Sequence, residues 1–139
     1  MTSMLNARWD TFPNAPEPGT DLCEESFVEE RNAKEFSFGE GRDTFFMIVT
    51  RRDGELHAYV NACPHFQLRL NSPNNPERLM TIDTEKLKCA HHLALFDPKT
   101  GLCVDGPARG DSLIRVPIEI ENGRVAIARD ANAAVAAKE

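Results

Sequence analysis

Two short stretches constrain this chain more than anything else in it: Cys63-Pro64-His65-Phe66 and Cys89-Ala90-His91-His92. The chain has four cysteines and four histidines, and these stretches hold two of the cysteines and three of the histidines. Within each stretch a thiol and an imidazole stand close enough to reach one metal centre. Any fold for the chain must bring the two stretches together.

The surrounding sequence reads as β-structure. Glu35-Phe36-Ser37-Phe38 alternates, and residues 44–50 (TFFMIVT) are apolar and rich in strand formers. Asp53-Gly54 is a turn signal, and residues 55–60 (ELHAYV) read as its return strand. There Leu56, Ala58 and Val60 share one face, with His57 and Tyr59 on the other. His57 is expected to be an exposed strand residue rather than a ligand. Residues 66–78 read as a loop, followed by short strands in LMTID and KLKC that lead into the second stretch. LALFD leaves it, PKTG turns, and GLCV returns. Residues 113–120 (LIRVPIEI) and 124–128 (RVAIA) flank Asn122-Gly123, a strong hairpin signal.

The expected organisation is an irregular N-terminal segment over 1–33, one domain over 34–129, and an Ala-rich tail over 130–139. The acidic stretch at 24–30 reads as a solvated face. Phe45, Phe46 and Phe96 read as core. Many short strands with regular turns indicate an all-β barrel or sandwich, with both Cys/His stretches where strands meet loops. A length of 139 residues suits one domain with a core of its own. The net charge of −6 argues against a nucleic-acid binder and permits steering toward a basic protein surface. No long apolar run and no basic start followed by an apolar stretch occurs, so neither a membrane span nor a secretory leader is expected, and the cytoplasm is the expected location. In that compartment thiols are metal-bound or reduced, and Cys23 and Cys103 read as plain thiols without a redox task.

The ligands are to be drawn from Cys63, His65, Cys89 and one of His91 and His92. Two sulfurs and two nitrogens suit a structural zinc ion or a [2Fe–2S] centre of mixed ligation. Zinc sites of Cys₂His₂ type usually pair like ligands on each limb. Here each limb carries one of each, which suits two irons lying side by side between the limbs.

Cys63-Pro64-His65 and the Cys89…His92 spacing, followed by Phe96-Asp97, Thr100-Gly101 and Gly106-Pro107-Ala108, resemble the Rieske [2Fe–2S] domain from about Phe36 to Ile127. The resemblance implies an all-β fold, an antiparallel β-sandwich base carrying a small cluster-binding subdomain of two hairpin loops. It implies Cys63 and Cys89 on the inner iron, His65 and His92 on the outer iron, and a covering loop that includes Pro107. Phe66 and Leu93, each beside a ligand histidine, are candidates for core packing or for partner docking. Leu68 and His91 stand where the quinol-oxidising branch has a bridging cysteine pair, and Ala94 and Phe96 where it has hydroxyl donors to sulfur. The ferredoxin branch is therefore implied, with a midpoint potential in the lower part of the Rieske range. The implied function is single-electron transfer from a reductase to a partner oxygenase, with no catalysis by this chain itself. The other functions weighed are a small subunit of nitrite-reductase type, a redox-sensing module, and a zinc-stabilised interaction domain.

Overall fold

A computed structural model describes residues 9–64, 69–71, 79–81, 83–90, 94–106 and 109–129. Its strands are β1 (Asp21–Glu24), β2 (Ala33–Phe38), β3 (Phe45–Arg52), β4 (Glu55–Val60), β5 (Leu87–Lys88), β6 (Leu95–Phe96), β7 (Cys103–Asp105), β8 (Ile118–Glu121) and β9 (Arg124–Ile127). They form three antiparallel sheets with orders β1-β9-β8, β2-β3-β4 and β5-β6-β7. The first two make the base and the third makes a smaller subdomain.

Both hairpins read from turn residues are present. β3 and β4 pair from Met47↔Val60 to Arg52↔Glu55, closed by Asp53 (φ 55°) and Gly54 (φ 82°). Positive φ at both central residues makes this a type I′ turn, whose twist matches that of the strands. Glu30 reinforces it, its carboxylate accepting from the Asp53 N–H at 2.6 Å and the Gly54 N–H at 2.9 Å. β8 and β9 pair from Ile118↔Ile127 to Glu121↔Arg124 around Asn122 and Gly123.

Two expectations change. Residues 113–120 are not one strand. Val60 N–H donates to Ile114 C=O at 2.8 Å and Val116 N–H to Ala58 C=O at 2.9 Å, so this part lies along β4. Pro117 has no N–H to continue that ladder, and beyond it Ile118–Glu121 joins the other sheet. One run of sequence thus crosses from sheet to sheet. In the N-terminal segment, Asp21–Glu24 forms strand β1 against β9 rather than an irregular stretch, and Trp9 is buried in the base core.

β3 and β4 are shared between two cores. Met47, Val49, Leu56, Ala58 and Val60 pack with Trp9, Val116, Val125 and Ile127 in the base. Ile48 and Tyr59 point the other way, into a second cluster with Leu70, Leu79, Leu87, Phe96 and Leu113. The alternation along a strand explains the division, and because both faces are covered, His57 is buried and not exposed. Its Nδ1 lies 3.3 Å from Arg115, and its Nε2 lies 3.3 Å from Glu55 without hydrogen-bond alignment.

No helix among the described residues is long and apolar enough to cross a membrane. The tail at 130–139 lies outside the described residues.

Candidate metal centre

Cys63 lies just beyond the end of β4, and Cys89 directly follows β5. Both are buried, at 1% and 0% exposure, and both belong to the core cluster of the smaller subdomain. His65, His91 and His92 lie outside the described residues, as do Phe66, Leu68, Leu93 and Pro107. Two of the four expected ligands are therefore placed. Among the described residues no group of three or more His, Cys, Asp or Glu side chains gathers as a metal site.

Backbone hydrogen bonds define how the two limbs are held. The Cys89 N–H donates to the Ala94 C=O at 2.8 Å, closing the second limb on itself. The next residue, Ala90, donates to the Leu70 C=O at 2.7 Å. Leu70 belongs to the exit of the first limb, so the limbs are joined directly.

The neck of the first limb carries a polar network. Glu35, on β2, accepts from Asn61 Nδ2 at 2.6 Å, from Arg69 Nη2 at 2.7 Å and Nε at 3.1 Å, and from Asn71 Nδ2 at 3.1 Å. Asn61 Oδ1 accepts the Leu70 N–H at 2.8 Å. Asn61 and Asn71 are buried, at 3% and 2% exposure. The Arg69 guanidinium also lies over the Phe46 ring, 3.9 Å from its centroid. Of these residues only Phe46 was singled out from sequence, as core, and it is half-buried beneath Arg69 rather than in either core. A Glu and two Asn at such separations show no periodic signal.

Behind the second limb, Gly106 packs against Ala94. A Cβ at Gly106 would lie 2.7 Å from Ala94 Cα. On the opposite side, Tyr59 spans from base to subdomain and donates its hydroxyl to the Pro98 C=O at 2.8 Å. Burial pushes the Tyr59 phenol pKa well up. The turn between the limbs is held to the base by two arginines. Arg31 donates to Thr84 Oγ1 at 2.9 Å and to Glu85 at 2.6 Å, and Arg52 donates to the Thr84 C=O. The Arg31 hydrogen bond holds the Glu85 carboxyl below its usual range.

Ala94 and Phe96 are fully buried. Neither side chain has a hydroxyl to offer a sulfur. Of the two remaining thiols, Cys103 is buried with its Sγ 3.1 Å from the Asp105 C=O, and Cys23 is half-buried, its pKa raised by burial. The donor set suits a cluster, since two buried thiols in an apolar wall are soft ligands shielded from water.

The model of the Rieske [2Fe-2S] domain family matches residues 20–132. A search of curated proteins finds no match. Among solved structures, the fold is similar to the ferredoxin of carbazole 1,9a-dioxygenase from Nocardioides aromaticivorans IC177, at TM-score 0.61 and 14% identity, covering 81% of this chain and 98% of that one. It is similar to the Sphingomonas yanoikuyae B1 ferredoxin at TM-score 0.57 and 23% identity, covering 79% and 97%. A complex of reduced oxygenase and oxidized ferredoxin in carbazole 1,9a-dioxygenase matches at TM-score 0.63 and 18% identity, covering 84% and 97%.

Proposed function

Because the chain belongs to the Rieske [2Fe-2S] domain family, which implies a [2Fe–2S] cluster, we propose that it is a ferredoxin passing single electrons from a reductase to a partner oxygenase. The observation that carries this reading is the burial of Cys63 and Cys89 in one core cluster, on limbs joined by the Ala90–Leu70 hydrogen bond. The ferredoxins of oxygenase systems among the structural neighbours support it.

When bound, the cluster takes up and gives back one electron. The protein's part is to hold it, shield it and set its potential. The Cys63 and Cys89 thiolates would hold the inner iron, and His65 and His92 the outer one. Leu70, Leu79, Leu87 and Phe96 wall the thiol side with apolar groups and exclude water. With Ala94 and Phe96 in place of hydroxyl donors, fewer hydrogen bonds stabilise the more negative reduced state. The potential then lies in the lower part of a range of about −150 to +300 mV. Electron exchange takes place at the histidine side, and the chemistry on a substrate belongs to the partner oxygenase. We place the carrier in the cytoplasm.

The test is metal analysis and spectroscopy of anaerobically purified protein. Iron and acid-labile sulfide in equal amounts, with visible bands that bleach with dithionite, are expected. A reductase–oxygenase pair should then turn over only when the protein is added. Stoichiometric zinc in a colourless protein would refute the reading.

A further inference from the structure

We propose that Glu35 is a positioning residue for the cluster, tying the necks of both ligand limbs to the base sheet. This rests on the cluster reading above. Glu35 sits on β2, remote in sequence from either limb, and its side chain is only 15% exposed. One carboxylate oxygen accepts from Asn61 and Arg69, and the other from Arg69 and Asn71. Those partners bracket the Cys63 limb, Asn61 before it and Arg69 and Asn71 after it. The carboxylate therefore closes the limb at its base, as a pin closes a loop.

The connection continues to the second limb. Asn61 uses Nδ2 on Glu35 and so presents Oδ1 to the Leu70 N–H. The Leu70 C=O in turn accepts from Ala90, next to Cys89. Leu70 thus stands between the two limbs, held on one side by the Glu35 network and on the other by the Cys89 limb. All four donors facing Glu35 need an acceptor, which only a carboxylate supplies with both oxygens. Glutamine at this position would turn an amide N–H₂ against at least one of them and leave a nearly buried donor unsatisfied.

The consequence is specific to the limbs. Loosening the pin frees the backbone at Leu70 and Ala90 while the base core, built from other residues, stays packed. Glu35→Gln should therefore release iron to a chelator about tenfold faster or more at 25 °C, the scale of one lost charge-assisted hydrogen bond. It should also shift the electron paramagnetic resonance g-values of the reduced cluster. Arg69→Met should do the same to a smaller degree, and the double variant should be no faster than Glu35→Gln alone, because both remove one network. Val125→Ala, a cavity variant in the base core, serves as the control. It lowers the melting temperature and leaves the g-values unchanged.

A Glu35→Gln protein with wild-type release and g-values would overturn the proposal. So would one whose faster release merely tracks its melting temperature as Val125→Ala does. If Glu35→Gln does not fold, Arg69→Met carries the same comparison. Amide exchange at Leu70 and Ala90 gives a readout independent of iron, with lost protection expected in Glu35→Gln even without cluster. If the wild-type protein binds no iron, the cluster reading fails on that result. Unchanged Leu70 and Ala90 protection in the variant then refutes the pinning by itself.

Discussion

Gly106 and Gly110 offer a controlled comparison, because they share nearly the same positive φ and differ in what surrounds them. Their φ angles are +96° and +95°. A Cβ on Gly110 meets nothing within 4 Å, whereas one on Gly106 falls 2.7 Å from Ala94 Cα and 3.2 Å from Ala94 N. Alanine at either position incurs the left-handed penalty of about 1–2 kcal/mol. At Gly106 it also overlaps backbone by about 1 Å relative to an ordinary carbon contact of ~3.5–4.0 Å. Backbone cannot rotate aside as a side chain can, so overpacking adds about 1–3 kcal/mol. For a chain of this length, about 4 °C of melting temperature corresponds to 1 kcal/mol. Gly106→Ala should therefore melt about 4–12 °C below Gly110→Ala. Thermal unfolding followed by far-ultraviolet circular dichroism, on matched apo proteins, measures the difference. Equal melting temperatures would show that Gly106 does not press on Ala94, and the account of the second limb would be wrong.

Tyr59→Phe leaves the buried Pro98 carbonyl without its hydroxyl donor and should cost about 1–3 kcal/mol in denaturant unfolding. His57 should make stability rise with pH. Burial, with Arg115 nearby, lowers its pKa, so the unfolded chain binds the proton more tightly. The stability it contributes is present above the unfolded value of about 6.5 and is lost as pH falls from there toward the lower folded value. A melting-temperature series from about pH 7 to 5 should flatten in His57→Gln. Cys89→Ser should purify without the visible bands, as iron and sulfide assays would report. Ala94→Ser and Phe96→Tyr, which add donors, should raise the midpoint potential in a redox titration.

The parts of the fold legible in the sequence are those set by local chemistry. Asp53-Gly54 and Asn122-Gly123 announced the two base hairpins, because type I′ turns need residues that tolerate positive φ. Cys63 and Cys89 stood out because each lies at ligand spacing from a histidine, and the fold brings both into one buried cluster. His57 was misread because alternation was taken to mean one wet face, whereas β4 is covered on both sides. The switch of sheets at Pro117 was hidden inside one continuous apolar run. The Glu35 network could not be seen at all, since hydrogen bonds between residues far apart in sequence follow no period.

β3 and β4 lend alternate side chains to the base and to the cluster subdomain, so the two are not separable modules. Grafting the segments that carry Cys63 and Cys89 onto a foreign sandwich would transplant them without Ile48 and Tyr59, which pack in the same core cluster. Melting should accordingly occur in one step, and a substitution within β3 or β4 themselves should be felt in both cores through a displacement of a single shared pair of strands.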